Sequence, residues 1–112
     1  MKNSFRKINI GILGMASIAR RSFIPAIYDL PEKFILSSVA SEKFTSKNKY
    51  DGFKNDVLYS SYEELIENKK IDAIYIALPN SMHFKWAKKA LEKAIADKPV
   101  LLKFRSRDVI HS

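Results

Sequence analysis

The chain has 112 residues, 46% of them hydrophobic and 29% charged, a composition that fits one globular domain and excludes a disordered chain. The length leaves room for one core and none for separate catalytic and substrate domains. Twenty Lys and Arg against 12 Asp and Glu leave a formal net charge of +8, and the absence of Cys excludes disulfides, thiolate zinc sites and a Cys nucleophile.

In chain order, Ile8, Ile10, Ile12 and Leu13 form a β-branched apolar run that predicts a strand over residues 7–13. No small-residue cleavage site follows this short, glycine-broken run, so it is not expected to act as a signal peptide. Gly14-Met15-Ala16-Ser17 predicts a tight turn. Ala19, Phe23, Ile27 and Leu30 fall at helical spacing and predict an amphipathic helix over 17–29. Pro25 should bend or interrupt it, because proline removes a backbone donor. Phe34 to Ala40 predicts the second strand, the polar stretch 42–56 a short helix or loop, and Val57-Leu58-Tyr59 a short third strand.

Ser61-Tyr62-Glu63-Glu64 has the form of a capping box at the head of a helix running to about Asn68. Ile71 to Leu78 is nearly all apolar, as a parallel strand covered on both faces would be, and Pro79-Asn80-Ser81 ends it. Phe84, Ala87, Leu91, Ala94 and Ile95 then mark one face of a helix whose other face carries Lys85, Lys88, Lys89, Glu92 and Lys93. Val100-Leu101-Leu102 predicts a fifth strand. Tyr59, Tyr62 and Tyr75 lie at or beside strand positions, where packing is the default role. This alternation predicts right-handed βαβ crossovers: an α/β, Rossmann-type parallel sheet of about five strands with helices on both faces.

Gly14-x-Ala16-x-x-Ala19, set between a strand and a helix, is the chemically suggestive element. A dinucleotide turn needs a sharp bend at its first position, close approach to a pyrophosphate at its second and a small residue at its third. The amides of the following helix then face the phosphates. Ala16 and Ala19 stand where glycines are usual, so a plain strand-to-helix turn remains the alternative.

The run Gly11-Ile12-Leu13-Gly14-Met15-Ala16-Ser17-Ile18-Ala19-Arg20-Arg21, with Pro25-Ala26 after it, resembles the opening of the glucose-fructose oxidoreductase/inositol dehydrogenase (Gfo/Idh/MocA) family. A longer match follows in Asp72-Ala73-Ile74-Tyr75-Ile76-Ala77-Leu78-Pro79-Asn80-Ser81-Met82-His83 and in Trp86-Ala87-Lys88-Lys89-Ala90-Leu91. The resemblance covers about residues 6–93. It implies a domain binding NAD or NADP, ahead of a substrate domain, with hydride transfer at the carbinol carbon of a sugar or polyol. Gly14, Met15, Ala16, Ser17 and Ile18 would then lie at the pyrophosphate, and Leu78, Pro79, Asn80 and His83 by the ribose and nicotinamide. By itself His83 reads as a helix N-terminal residue paired with backbone.

Coenzyme choice turns on Ser41-Glu42-Lys43, since a carboxylate there suits a 2′-hydroxyl and a cation suits a 2′-phosphate. A Ser-Arg pair is typical of NADP binders in the family. Ser41 fits, Glu42 departs, and Lys43 or Lys47 could substitute, so the expectation leans to NADP. Arg20 and Arg21 are also near enough to be considered, beside their plainer role on a solvated helix face.

Beyond residue 93 the resemblance fails. The family's Glu-Lys-Pro, whose lysine is the usual catalytic or proton-relay group, does not follow the last strand. Asp97-Lys98-Pro99 precedes that strand, and Lys103 is the candidate left on the correct side. The expectation is one coenzyme domain over 1–112, family-like to about 93 and divergent over 94–112. A truncation or frame change near residue 94, or a short protein that kept only this half, would explain it. With the substrate domain absent, negligible dehydrogenase activity is expected of the chain alone.

The other reading of the charge is a basic module binding nucleic acid or an acidic protein. Residues 85–112 hold eight bases (Lys85, Lys88, Lys89, Lys93, Lys98, Lys103, Arg105 and Arg107) and three acids (Glu92, Asp97 and Asp108), so +5 of the +8 lies there. No nucleic-acid motif accompanies it, so nucleic acid is not the expected partner. Pairing of two copies through the exposed sheet edge is plausible. His83 and His111 are too few and too far apart for a metal site, and no Gly-x-Ser-x-Gly elbow exists. No run reaches the ~18 apolar residues of a membrane span, and a cytoplasmic protein is expected.

Overall fold

The structure, a computed structural model, describes residues 6–96 and 101–104. Its strands are β1 (Ile8–Leu13), β2 (Phe34–Ala40), β3 (Leu58–Ser60), β4 (Ala73–Ile76) and β5 (Leu101–Phe104). Its α-helices are α1 (Ile24–Tyr28), α2 (Tyr62–Glu67) and α3 (Asn80–Ala96). The five strands pair in parallel in the order β3-β2-β1-β4-β5. The expected α/β sheet is therefore present, and β1 sits at its centre.

Strand alternation sorts the core into two layers. Ile10 and Ile12 of β1, Leu36 and Val39 of β2, and Ala73 and Tyr75 of β4 pack with Ala19, Ile24 and Ile27 on one side. Leu13, Ala40, Ile74 and Ile76 pack with Leu65, Trp86 and Ala90 on the other. Helices thus cover both faces, which is why β1 and β4 read as apolar runs. Gly11 lets α2 approach β1 closely: a Cβ built there would lie 2.9 Å from Leu65 Cδ2.

Pro25 widens the first helix instead of breaking it. Ala19–Phe23 is π-helical, the Ile24 amide donates to the Ala19 carbonyl, and Pro25 falls in the first turn of α1. A proline cannot donate to the preceding turn, and the wider turn removes the need for that bond. The capping box forms as expected: the Glu64 amide donates to Ser61 Oγ, and the Ser61 amide donates to Glu64 Oε1, both at 3.0 Å. Residues 42–56 form a loop, not a helix, closed by a Thr45–Asn48 bridge. Its rings stack edge to face, Phe44 on Tyr50 and Tyr50 on Phe53.

One expectation is corrected. The buried face of α3 carries His83, Trp86 and Ala90, with Met82 and Ala87 partly covered, whereas Phe84 and Leu91 are 75% and 51% exposed. The true face is rotated by about one residue. Counting only aliphatic and Phe positions misses it, because it includes an indole and an imidazole. The side chains of Ala94 and Ile95 lie outside the described set, as do Lys98, Val100, Arg105 and Arg107. On α3 itself Lys93 pairs with Glu67 at 2.7 Å, and Lys85 and Lys89 lie over the Trp86 ring.

Asp72 ties the N-terminal ends of β1 and β4 together. It accepts two bonds from Arg6, at 3.0 and 3.1 Å, and one from the Asn9 amide at 2.9 Å. The bond from Arg6, then that from the Asn9 amide, hold its carboxyl below the usual value against the opposing effect of burial. A carboxyl with a depressed folded-state pKa contributes stability above its unfolded pKa, about 3.9, and loses it as pH falls through the folded value. Asp72→Ala is expected to cost about 1–2 kcal/mol near neutral pH. The gap between variant and parent should close below about pH 4, read from urea midpoints at a series of pH values.

Candidate functional site at the β1–β4 switch point

All five strands run the same way, so their carboxyl ends share one edge of the sheet. There Leu13 stands opposite Ala40 of β2 and Ile76 of β4. The chain leaves β1 toward β2 and enters β4 after crossing back from β3. The crevice between β1 and β4 is therefore the topological switch point, where open α/β sheets take their ligands.

The Gly14 turn lies at that crevice and is fastened to both neighbouring strands. The Gly14 amide donates to the Ala40 carbonyl at 2.7 Å and the Ala16 amide to the Ala77 carbonyl at 3.3 Å. Ala77 returns a bond to the Leu13 carbonyl at 2.7 Å. Gly14 has φ +87°, and a Cβ there would strike the Ala77 carbonyl oxygen and lie 2.5 Å from Leu78 Cδ2. Met15 is buried, Ala16 and Ile18 are half-buried, and Ser17 is exposed. Ser17 and Ile18 begin the helix, so no earlier turn offers their amides an acceptor. An exposed small residue over donor amides fits a pyrophosphate, and the Ala16 methyl leaves room because it is only half-covered.

On the β4 side, Ala77 and Leu78 are buried and Pro79 is exposed. The Pro79 carbonyl accepts from the Met82 and His83 amides at 3.0 and 2.9 Å and so starts α3. The His83 ring is buried, which lowers its pKa, and a bond donated to the Ile76 backbone opposes this in part. The imidazole is thus held beneath the end of β4. Asn80 begins α3, and the backbone of Lys103 pairs with Tyr75 one residue inside the end of β5. At the end of β2, Ser41 Oγ accepts from the Lys43 and Phe44 amides at 3.0 and 3.2 Å.

The turn, the end of β2 and the 77–83 segment are thus brought to one edge. The sequence reading missed three participants. They are the Ala77 carbonyl that anchors the turn, the Arg20 Nε bond to the Met15 carbonyl at 3.2 Å, and Phe44 beneath Arg20. Phe44 carried a signal, as an aromatic in a polar stretch; the Ala77 carbonyl is reached only through a chain crossing, whereas the Arg20 bond is a local one within the turn and the helix after it. Among the described residues no group of three His, Asp or Glu could hold a metal, and no helix is long and apolar enough to cross a membrane.

With this geometry the comparisons agree. The Gfo/Idh/MocA profile, described as an oxidoreductase family with an NAD-binding Rossmann fold, matches residues 8–108. The chain belongs to the Gfo/Idh/MocA oxidoreductase family. It carries that family's NAD-binding domain, and the match runs past residue 93, where the sequence resemblance had ended.

A family relative, the dTDP-3,4-didehydro-2,6-dideoxy-alpha-D-glucose 3-reductase of Saccharopolyspora spinosa, is 35% identical over 96 residues, covering 86% of this chain and 28% of its own. A 3-ketoreductase from Actinomadura kijaniata, solved with TDP-benzene and NADP, superposes with a TM-score of 0.65 at 27% identity, over 87% of this chain and 29% of that one. An oxidoreductase from Thermotoga maritima gives a TM-score of 0.71 at 30% identity, over 88% and 29%. The chain spans less than a third of the length of these Gfo/Idh/MocA relatives.

Proposed function

We propose that this chain is the coenzyme-binding part of an NAD(P)-dependent oxidoreductase that passes hydride to or from a carbinol carbon of a sugar or polyol, with residues 1–112 forming one such domain. The observation that carries this reading is the fastening of the Gly14 turn to Ala40 and Ala77 at the switch point. Gly14, Met15, Ala16, Ser17 and Ile18 take the pyrophosphate, the helix amides supplying donors that need no side chain. Ser41 takes the adenosine ribose, and Leu78, Pro79 and Asn80 flank the nicotinamide ribose. His83 acts as a positioning residue, because its bond to Ile76 holds the segment that carries them. Lys103, near the carboxyl end of β5, is assigned the proton relay. The bound nicotinamide supplies hydride chemistry. The sugar class is supported by the sugar reductase among the relatives.

Titration of the chain with NADH and NADPH, followed by nucleotide fluorescence, tests the reading. Saturable binding is expected. Ser17→Glu should weaken it about tenfold or more, because a carboxylate then faces the pyrophosphate. The same change should leave stability equal or slightly higher, since an acid in a first helical turn is favourable. Loss of binding without loss of fold separates a ligand effect from a folding one, and no saturable binding to either nucleotide would overturn the proposal.

A second copy pairing along β5, which ends the sheet order, belongs to the same reading. A sedimentation mass that stays monomeric at all concentrations would exclude it. A chain without Cys also fits the reducing cytoplasm.

A further inference from the structure

We propose that Asp51-Gly52, in the loop after β2, is a site of spontaneous backbone isomerisation, where Asp51 converts to isoaspartate through a succinimide. It stands apart from the dinucleotide reading above.

Of the glycines, Gly52 alone follows an aspartate, and no asparagine precedes a glycine. Every other aspartate is followed by a residue with a side chain, which crowds attack by the next amide. Asp51 and Gly52 are the exposed central pair of a turn, closed by the Phe53 amide donating to the Tyr50 carbonyl at 3.2 Å. Among the described residues, neither the Asp51 carboxyl nor the Gly52 amide has a hydrogen-bond partner. The two reacting groups are thus adjacent and unengaged, as ring closure requires. Packing also demands the glycine. A Cβ at this position would lie 2.8 Å from Tyr50 Cζ. That ring is wedged edge to face between Phe44 and Phe53, at 5.1 and 5.0 Å between centroids, and has little room to withdraw. The fold therefore keeps at 52 the one residue that leaves its amide open to attack.

In the first step the Gly52 nitrogen attacks Asp51 Cγ, and a C–N bond forms. The amide proton and the carboxyl hydroxyl leave together as one water. In the second step a water reopens the five-membered ring. Cleavage of the Cγ–N bond restores aspartate. Cleavage of the original peptide bond leaves the main chain running through Cβ and Cγ, with a free α-carboxylate. One water is lost and one gained, so the mass is unchanged and nothing is oxidised or reduced. The main chain is then one carbon longer inside the turn, and the bond from the Phe53 amide to the Tyr50 carbonyl cannot keep its geometry. The Tyr50 amide donates to Tyr59 Oη at 3.1 Å, and Phe44, Tyr50, Phe53 and Tyr59 all pack on the first core layer. Loosening of the turn thus reaches the core.

The full chain is aged at neutral pH, folded and, in parallel, unfolded in urea. Isoaspartate is counted by methyl transfer from S-adenosylmethionine with an isoaspartyl methyltransferase, and located by electron-transfer fragmentation of peptides. It is expected chiefly at position 51, and in the folded chain at a rate within about tenfold of that in urea, because an exposed turn needs no opening. D51E should lower the signal about tenfold or more, since closure of the larger ring is less well oriented. Its side chain is exposed, so the fresh variant should unfold at the same urea concentration as the fresh parent. After ageing, the isomerised parent should show a lower midpoint by Trp86 fluorescence, and D51E aged alike should not. Isoaspartate formed chiefly elsewhere, or a folded rate slower than that bound, would overturn the site. An equal fall in midpoint for aged D51E would overturn its effect on the fold.

Discussion

Gly14→Ala is expected to destabilise the chain by about 3 kcal/mol or more. Two costs combine at this position. The first is backbone strain, because an alanine at φ +87° occupies a region that costs L-residues about 1–2 kcal/mol. The second is steric: the new methyl would collide with the Ala77 carbonyl and lie 2.5 Å from Leu78 Cδ2. The carbonyl belongs to the backbone leaving β4 and already accepts the Ala16 amide, so it cannot retreat without releasing that bond. Overpacking of this kind costs about 1–3 kcal/mol.

For a domain with about 5–15 kcal/mol in total, the midpoint should fall by about 10 °C or more, followed through the single Trp. Nucleotide binding should be lost as well, because the turn cannot keep its place against Ala77. A Gly14→Ala chain as stable as the parent would show that the contact with Ala77 yields freely. The contrast with Ser17→Glu is diagnostic. One change removes binding through the fold, and the other removes it through charge alone.

Trp86→Ala is expected to cost about 3–5 kcal/mol, the range for emptying a buried aromatic site. The indole is 5% exposed and packs in the layer formed by Leu13, Ile74, Ile76 and Leu65. It meets the Tyr62 ring edge to face at 4.9 Å and so joins α3 to α2. Removing it opens a void where both helices rest on β1 and β4, and loosens the segment that carries Leu78 to His83. Far-UV circular dichroism in urea measures the loss, since the fluorescent probe is gone. Trp86→Phe should cost well under half as much. The ring contact survives, and the indole Nε1 is buried with no hydrogen-bond partner among the described groups, so no bond is given up.

Much of the architecture was legible because its signals are local. Ile8 to Leu13 and Ile71 to Leu78 are apolar on successive residues, and only a strand covered on both faces buries both parities. Ser61 and Glu64 satisfy each other within one turn, so the capping box could be read without any partner. The less legible features involve groups distant in sequence. Asp72 looked like one residue of a family run, and only the fold brings Arg6 and Asn9 to it. The buried face of α3 was misread for the same reason. An indole and an imidazole face inward only because β4 offers them an apolar wall and a backbone partner.

The sequence by itself determined the element order, the parallel sheet and the glycine turn. These follow from periodicity, chirality and turn chemistry, which act over a few residues. The tertiary structure alone decided that Gly14 is locked against Ala77, that His83 is held under β4, and that Arg20 and Lys43 meet over Phe44. The first and last of these join segments whose separation along the chain carries no distance information, and the second joins α3 to the strand just before it. Chain crossings at the carboxyl ends of β1, β2 and β4 are what bring them within reach.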